Sequence, residues 1–585
     1  MKKSIIILSA ALALASCVSM DMTPLSQGNS DSWYTTETEL NMAVNEFYVL
    51  GYWDYLLPQE QWSDNFTYRN TNRNAILEGT VNGQTWDSNV IWQQAYKLIA
   101  RANSLLDKID RAREKGMAED QVKRYEAEAY FARACKYGDL LTFFGDVPYI
   151  DTYQTIQEAM NNGRTAKATV IEKMYADFDK AIESLPSDWG TNAVHATKGA
   201  AYAMKARYAL YMGDWATAAE AADNCIKLKN YTLEADYADI FWQSTGLIKE
   251  KIFAIPRSIE SSVVLEQWYV NNSLPRNAGG YAAYTPSWDL FAAYLCTDGK
   301  PIDESPLFDS LNPFKNRDPR CAKTIVEFNT QHCGFDFDPS PAATQVYNYS
   351  TGAKQSNQDS RAVNQYASYN GLLLKKGVDA SWTENGKQVQ NDYISHNYIV
   401  VLYGKQVQND YIIMRYADVL LMYAEAKIEL NQIDASVLDA INQVRARAYG
   451  VSASSVALYP AVTSTDQATL RQTVRLERRV ELAFESLRYC DLIRWRLAEK
   501  ALNKFNYINL APTDCLDKVV NKGFWFWGMT PQIDEDGMAD FAPLKAAGLC
   551  EEGAKRNFPA RQYLMPIPTH DIELSNNNLT NNEGY

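Results

Sequence analysis

The chain has 585 residues and a formal net charge of −14, which argues against nucleic acid or an anionic lipid surface as its partner. Nine cysteines are scattered along it with no Cys-x-x-Cys pair, and there are only four histidines, so neither a disulfide scaffold nor a zinc site is spelled out. The length allows several domains, but no Gly/Ser/Pro-rich linker divides the chain, so a single body is expected.

The first residues are an address. Lys2 and Lys3 form a basic region, and residues 5–15 form an apolar run too short to cross a bilayer as a helix. Leu14-Ala15-Ser16-Cys17 then has the small residues of a lipobox, so cleavage is expected after residue 16 and acylation at Cys17. On this reading residues 1–16 are a lipoprotein signal peptide and residues 17–585 are one domain held at a membrane by lipid. Residues 20–31 are polar and read as a tether.

Residues 52–86 mix aromatics with Asp, Asn, Gln and Arg and have little period, which predicts long loops. Helical spacing resumes near Asn89, with Trp92, Ala95, Tyr96, Ile99, Asn103 and Leu106 on one face. A further helix through residues 126–144 should stop at Gly145 and Pro148. Thr169-Val-Ile-Glu172 reads as a capping box, followed by a face of Ile171, Tyr175, Phe178, Ile182 and Leu185. Two Ala-rich helices, 196–212 and 215–228, meet at Gly213-Asp214 as a hairpin like a tetratricopeptide repeat unit. Residues 252–409 are rich in Tyr, Asn, Gln, Ser and Gly and form a loop-rich insert. Within it Gly386-Lys-Gln-Val-Gln-Asn-Asp-Tyr-Ile394 recurs letter for letter at 404–412, which reads as a duplicated hairpin edge whose first copy is a surface loop.

Helical period then returns. Tyr416, Val419, Leu420, Tyr423 and Ala424 mark one helix, and Val437, Ile441, Val444 and Ala448 a second. Leu476, Val480, Ala483 and Leu487 mark a third, read as continuous to Trp495. Along that last helix Glu485–Arg488, Arg488–Asp491 and Asp491–Arg494 are spaced to pair, each exposed pair contributing about 0.2–0.5 kcal/mol. So many arginines beside aromatics read as structural clamps between helices and loops. Phe524-Trp-Phe-Trp527 reads as a plug.

These stretches resemble the SusD/RagB family of sugar-binding outer-membrane lipoproteins. The resemblance is carried by Arg415-Tyr-Ala-Asp-Val-Leu-Leu with Ala424-Glu-Ala, by Ile441-Asn-x-Val-Arg-x-Arg-Ala, and by Glu477-Arg-Arg-x-Glu-Leu-Ala-Phe-Glu with Asp491-Leu-x-Arg-Trp. Glu126-Ala-Glu-Ala-Tyr-Phe-Ala-Arg-Ala, Asp139-Leu-Leu-Thr-Phe-Phe-Gly-Asp-Val-Pro, Arg317-Asp-Pro-Arg and Tyr563-Leu-Met-Pro-Ile-Pro extend it along the chain. Ser486 stands where the family usually has glycine, and Asn581 and Glu583 depart from its usual ending. The resemblance implies a mainly α fold: a scaffold of tetratricopeptide-like helical pairs with long irregular loops and a few short strands. It also implies a surface-exposed outer-membrane lipoprotein that captures an oligosaccharide and passes it to a SusC-like TonB-dependent transporter.

No nucleophile elbow, phosphate-cradling glycine loop or His-x-x-x-His pair occurs, so no catalytic residue, metal ligand or cofactor is assigned. Abundant carboxylates leave an all-helical glycoside hydrolase as one alternative, and an adhesin or structural surface lipoprotein as another. Sugars need flat apolar faces for their C–H surfaces and directional groups for their hydroxyls. Two loop regions offer both. One holds Trp53, Tyr55, Trp62, Tyr68, Arg69, Asn70, Arg73 and Trp86, and the other Trp268, Tyr269, Asn271, Asn272, Tyr281, Tyr284 and Trp288. From these, Tyr68, Arg69, Asn70, Trp86, Trp268, Tyr269, Tyr281 and Tyr284 are the expected carbohydrate-binding residues. Trp288 is set aside because Trp288-Asp-Leu-Phe reads as the start of a packed helix.

Overall fold

The structure, a computed structural model, describes residues 33–585 apart from 54–59, 191–194, 243–247, 259, 266, 379–380, 385–390, 396–397, 403–408 and 577. Cys17, the signal segment and Tyr55 therefore lie outside the described residues.

The fold is mainly α. Helix α1 (Glu37–Asn45) begins at a reciprocal cap, in which Thr36 accepts the Glu39 N–H and Glu39 accepts the Thr36 N–H. Strand β1 (Phe66–Tyr68) follows. Then α2 (Trp86–Lys108), α3 (Glu119–Phe144), α4 (Lys167–Ser184), α5 (Lys198–Met212) and α6 (Trp215–Lys227) pack against one another in chain order. Small side chains make this close stacking possible. A Cβ at Gly138 of α3 would sit 2.4 Å from the Tyr208 ring of α5, so only glycine fits. Between α5 and α6, Gly213 takes the left-handed conformation at φ 77° and Asp214 caps α6 through the Thr217 N–H, as its Gly-Asp sequence predicts.

Strand β2 (Lys251–Ile255), helix α7 (Gln267–Ser273), strand β3 (Tyr284–Pro286) and helix α8 (Trp288–Ala293) open the insert. Four short antiparallel strands, β4 (Thr330–His332), β5 (Phe335–Phe337), β6 (Gln345–Asn348) and β7 (Ala353–Ser356), and a hairpin of β8 (Asn391–Ser395) and β9 (Tyr398–Leu402) continue it. Strand β10 (Tyr411–Arg415) pairs antiparallel with β2, so both ends of the insert are pinned at one place. Helices α9 (Tyr416–Glu429), α10 (Ala435–Ala448), α11 (Gln467–Glu481) and α12 (Arg488–Arg494) complete the scaffold, α9 packing on α6. The insert side has its own apolar core, where Trp288, Phe291, Phe314, Phe526, Trp527 and Phe541 are buried together. The Phe-Trp-Phe-Trp run plugs this second core and not the helical one.

Three sequence expectations change. The Thr169–Glu172 box is not a cap: Asp146 accepts the Lys167 N–H at 2.7 Å from outside, and α4 starts at Lys167, three residues ahead of the start that box implies. The first repeat copy is not simply a loop, because its Asn391-Asp-Tyr-Ile stretch lies in β8 paired with β9, while 386–390 lie outside the described residues. The helix from Arg475 to Trp495 is broken. After Glu481 the chain turns through Phe484 and Ser486, at φ 61° and 64°, and restarts at Arg488. A left-handed backbone explains why glycine suits position 486.

The break redirects the charges. Asp491 and Arg494 pair at 2.8 Å as spaced, but Glu485 instead meets Arg415 at 2.7 Å and Lys376 at 2.6 Å, and Arg488 meets Asp64 at 2.8 Å. These pairs belong to a buried lattice. Arg415 bonds Glu250, Glu481 and Glu485; Arg320 bonds Asp318, Glu477 and Glu481; Arg478 bonds Asp418 and Asp491; Arg447 bonds Glu250 and Glu481. The lattice ties β10, α9, α10, α11 and α12 to the insert and to Glu250, just ahead of β2. Burial alone would raise its carboxylates, but facing guanidinium groups outweigh burial and hold Glu481 and Asp64 far below the ordinary range and Asp418 at about 2. The eight described cysteines are buried.

Candidate functional site

The two aromatic loop regions singled out in the sequence, some 200 residues apart, are joined by one strand pair. β1 lies antiparallel to β3 with Phe66 opposite Pro286, Thr67 opposite Thr285 and Tyr68 opposite Tyr284. Past β1 a tight turn is closed by the Thr71 N–H to the Tyr68 carbonyl at 3.0 Å, with Arg69 at φ 49° and Arg73 at φ 57°. Before β3, Ala282 sits at φ 43°. Left-handed non-glycine residues cost about 1–3 kcal/mol each and persist where surrounding structure holds them. Here the holder is α7: the Tyr281, Ala282 and Ala283 N–H groups donate to the Asn271, Leu274 and Asn272 carbonyls at 2.6, 2.9 and 2.8 Å.

The result is an open face of three rings. Trp268 is 47% exposed, Tyr281 38% and Tyr366 50%. The Trp268 and Tyr281 rings lie 6.1 Å apart, edge to face. Arg276 stands over Tyr281 at 5.8 Å and over Tyr366 at 5.6 Å, and Arg69 over Tyr366 at 5.7 Å. Arg276 Nε donates to the Tyr366 carbonyl at 3.0 Å and Arg69 Nη2 to the Tyr281 carbonyl at 3.5 Å. Buried Asp359 fastens the turn beneath, accepting the Arg276 and Asn277 N–H groups at 2.7 and 3.1 Å and the Asn277 amide at 2.7 Å. Burial outweighs these donors and pushes the Asp359 carboxyl up to about 6.

The expected residues divide. Trp268, Tyr281 and Arg69 reach the open face, and Asn70 is exposed on the neighbouring turn. Tyr284 is buried, and Tyr269 is half-buried against it at 5.6 Å and lines a separate small hollow with Arg257 and Trp382. Tyr68 is also buried, and Arg73 covers its ring at 4.5 Å. Tyr68 and Tyr284 support the site from below, since every residue of β1 and β3 is buried. Trp268 lies on α7 and Trp86 at the first position of α2, not on loops. Trp86 is 64% exposed, but among the described residues no ring of the face stacks near it. Trp53, Trp62 and Trp288 are core, the last as its Trp-Asp-Leu-Phe context predicts. Tyr366 and Arg276 were not singled out in the sequence. Tyr366 shares the Tyr/Asn/Gln composition that marked the insert, and Arg276 lies between Trp268 and Tyr281, so proximity to a chosen pair was its available signal.

Deeper hollows lie elsewhere. A cleft of about 760 Å³ opens between Trp215, Arg496, Tyr563 and the C-terminal residues, and one of about 370 Å³ between Tyr96, Tyr153 and Ile156. Among the described residues no group of three or more His, Cys, Asp or Glu is placed to hold a metal.

Comparison with known proteins bears on this geometry. Residues 249–585 match a family model described as SusD family, and residues 37–210 one described as starch-binding associating with outer membrane. SusD-like protein P2 of Formosa agariphila is 25% identical over 98% of both chains. A crystal structure of a SusD-like carbohydrate binding protein from Bacteroides fragilis superposes with a TM-score of 0.72 at 26% identity, covering 92% of this chain and 98% of that one. The surface glycan-binding protein A of Bacteroides thetaiotaomicron, solved in complex with laminarihexaose, has the same fold at a TM-score of 0.60 and 18% identity, covering 94% and 100% of the two chains.

Proposed function

For a chain that belongs to the SusD family, we propose a role as a cell-surface lipoprotein that captures an oligosaccharide at the Trp268–Tyr281–Tyr366 face and passes it to a SusC-like TonB-dependent transporter. The observation that carries the reading is the β1–β3 pair, which gathers exposed rings and unspent guanidinium donors from distant parts of the chain on one surface. Ring faces shield sugar C–H surfaces from water, and the donors fix ring hydroxyls. The carbohydrate binding named for the B. fragilis structure and the laminarihexaose held by the B. thetaiotaomicron one support the same class of ligand. An open face must order a flexible sugar without enclosing it, so affinity is expected on the order of micromolar to millimolar. Binding is proposed without chemistry, with no cofactor, in one domain from Cys17 onward.

Anchorage is proposed through the Cys17 acyl chains. Cys17→Ala should release a folded protein into the soluble fraction, and persistence in the outer membrane without the transporter would count against it. The binding test is calorimetry of the purified chain against neutral and acidic oligosaccharides. Heat with at least one, and no new reducing ends, is the expected result. Hydrolysis of a panel member would move the protein to the glycosidase alternative, and failure to bind any would remove the glycan reading. Mild extraction should also recover a β-barrel of TonB-dependent size, since an obligate-type contact buries roughly 2,000–5,000 Å².

A further inference from the structure

Three arginines frame the face, and all are spent differently from those of the scaffold. Arg73 lies over Tyr68 at 4.5 Å, Arg69 over Tyr68 at 5.6 Å and over Tyr366 at 5.7 Å, and Arg276 over Tyr281 and Tyr366. A cation over an aromatic ring is attracted through its charge, and its N–H groups still need acceptors. Among the described residues the Arg69 and Arg276 guanidinium groups meet main-chain oxygens and no carboxylate. Arg69 Nε is buried and has no acceptor. The carboxylate that acts on Arg276 is Asp359, and its two oxygens already take the Arg276 and Asn277 N–H groups and the Asn277 amide. Burial, and after it the charge of Arg69, lowers the affinity of Arg276 for its proton. Two like charges thus converge on one ring with donors to spare and acceptors used up.

A neutral sugar hydroxyl is a poor complement to such a surface. It accepts, but it also brings a proton that needs an acceptor. An anionic oxygen accepts only, matches the planar N–H fork, and relieves the repulsion between the two arginines. We infer that this face takes oligosaccharides bearing anionic groups, carboxylate or sulfate ester, gripped edge-on by Arg69 and Arg276 while Trp268, Tyr281 and Tyr366 hold the sugar rings. The inference rests on the glycan-binding reading and narrows its ligand class.

The test compares three oligosaccharides of equal length, a neutral glucan, an oligouronate and a sulfated glucan, titrated into the full chain in uncharged detergent. At low salt at least one anionic ligand should bind tenfold or more tightly than the neutral one. That advantage should shrink between 50 and 300 mM salt, because exposed charges are screened beyond about 8–10 Å. Arg69→Gln and Arg276→Gln should each bring the anionic-to-neutral ratio toward one, whereas Trp268→Ala should weaken both ligands and leave the ratio in place. Melting of each variant is checked, and the salt dependence of the unaltered chain stands even if a variant folds poorly. Preference for the uronate alone or the sulfate alone supports the inference and names the group. A neutral ligand bound as tightly as both anionic ones overturns it while the glycan reading stands. Silence with all three removes the glycan reading itself, and the inference with it.

Discussion

Arg415 and Arg276 are the same residue in opposite circumstances. Arg415 is 1% exposed and bonds three carboxylates, Glu250, Glu481 and Glu485. Arg276 is half-buried at the surface, stacked on two tyrosines, with its hydrogen bond going to a main-chain oxygen. The first is neutralised and enclosed, so its free energy goes into holding strand to helix. The second keeps an open valence. What separates a clamp from a binding group here is the pairing of its charge and the exposure of its edge, and residue type says nothing about either.

Breaking the clamp should have the largest effect. Arg415→Met leaves three carboxylates facing one another in the interior, and removal of one partner from a buried ion network costs about 3–5 kcal/mol. Urea denaturation should show that loss, while Arg276→Gln stays within about 0.5 kcal/mol of the parent as surface changes usually do. Equal losses would mean that the two arginines do the same work.

Ring substitutions sharpen the contrast next. Trp288→Ala removes a ring from the insert core and should cost about 3–5 kcal/mol of stability. Trp268→Ala, Tyr281→Ala and Tyr366→Ala should leave melting unchanged and each lose about 1 kcal/mol of oligosaccharide binding. If binding survives all three exposed substitutions, the site lies elsewhere, and the cleft near Trp215 and Tyr563 becomes the place to look.

Acid separates the regions by sign. Asp418 is held at about 2 in the fold against an ordinary 3.8, so its stabilisation is complete above about pH 4 and is lost as pH falls toward 2. Glu481 and Asp64 are displaced the same way, so scaffold unfolding monitored by circular dichroism should set in below about pH 4. Asp359 is displaced upward, to about 6, so its contribution is present below about pH 4 and fades as pH rises through 6. The effect is local to the turn beneath the open face. The protection of the Arg276 and Asn277 amides, taken relative to their intrinsic exchange rate at each pH, should fall between pH 5 and 7, and Asp359→Asn should remove that fall.

Much of the architecture was legible beforehand because it depends on local rules. The α5–α6 turn needs a left-handed residue followed by a capping side chain, and Gly213-Asp214 supplies both. Helix faces follow from spacing, and the polar insert from its lack of period. The motifs from Arg415 to Trp495 carried the family, and the arginines' reading as clamps holds. The misplaced elements fail where a distant group intervenes. Asp146 starts α4 ahead of the local cap, and the turn at Phe484 and Ser486 sends Glu485 and Arg488 to partners far away in the chain, Arg415 and Asp64, in place of one another.

The site shows the same division. Composition alone marked both loop regions as rich in rings and polar groups, because that signal is carried by each residue independently. Which ring faces water was settled by the register of three residue pairs between β1 and β3 and by the α7 carbonyls that hold Tyr281 beside Trp268. β1 and β3 are buried along their whole length, Tyr68 and Tyr284 included, while Asn70 past β1 and Tyr281 before β3 are exposed. Tyr366 and Arg276 join the face only through contacts across the fold. The sequence determined what kinds of groups this protein can offer a ligand; the pairing of distant strands decided which of them it presents, since exposure is a property of the packed chain and not of any residue in it.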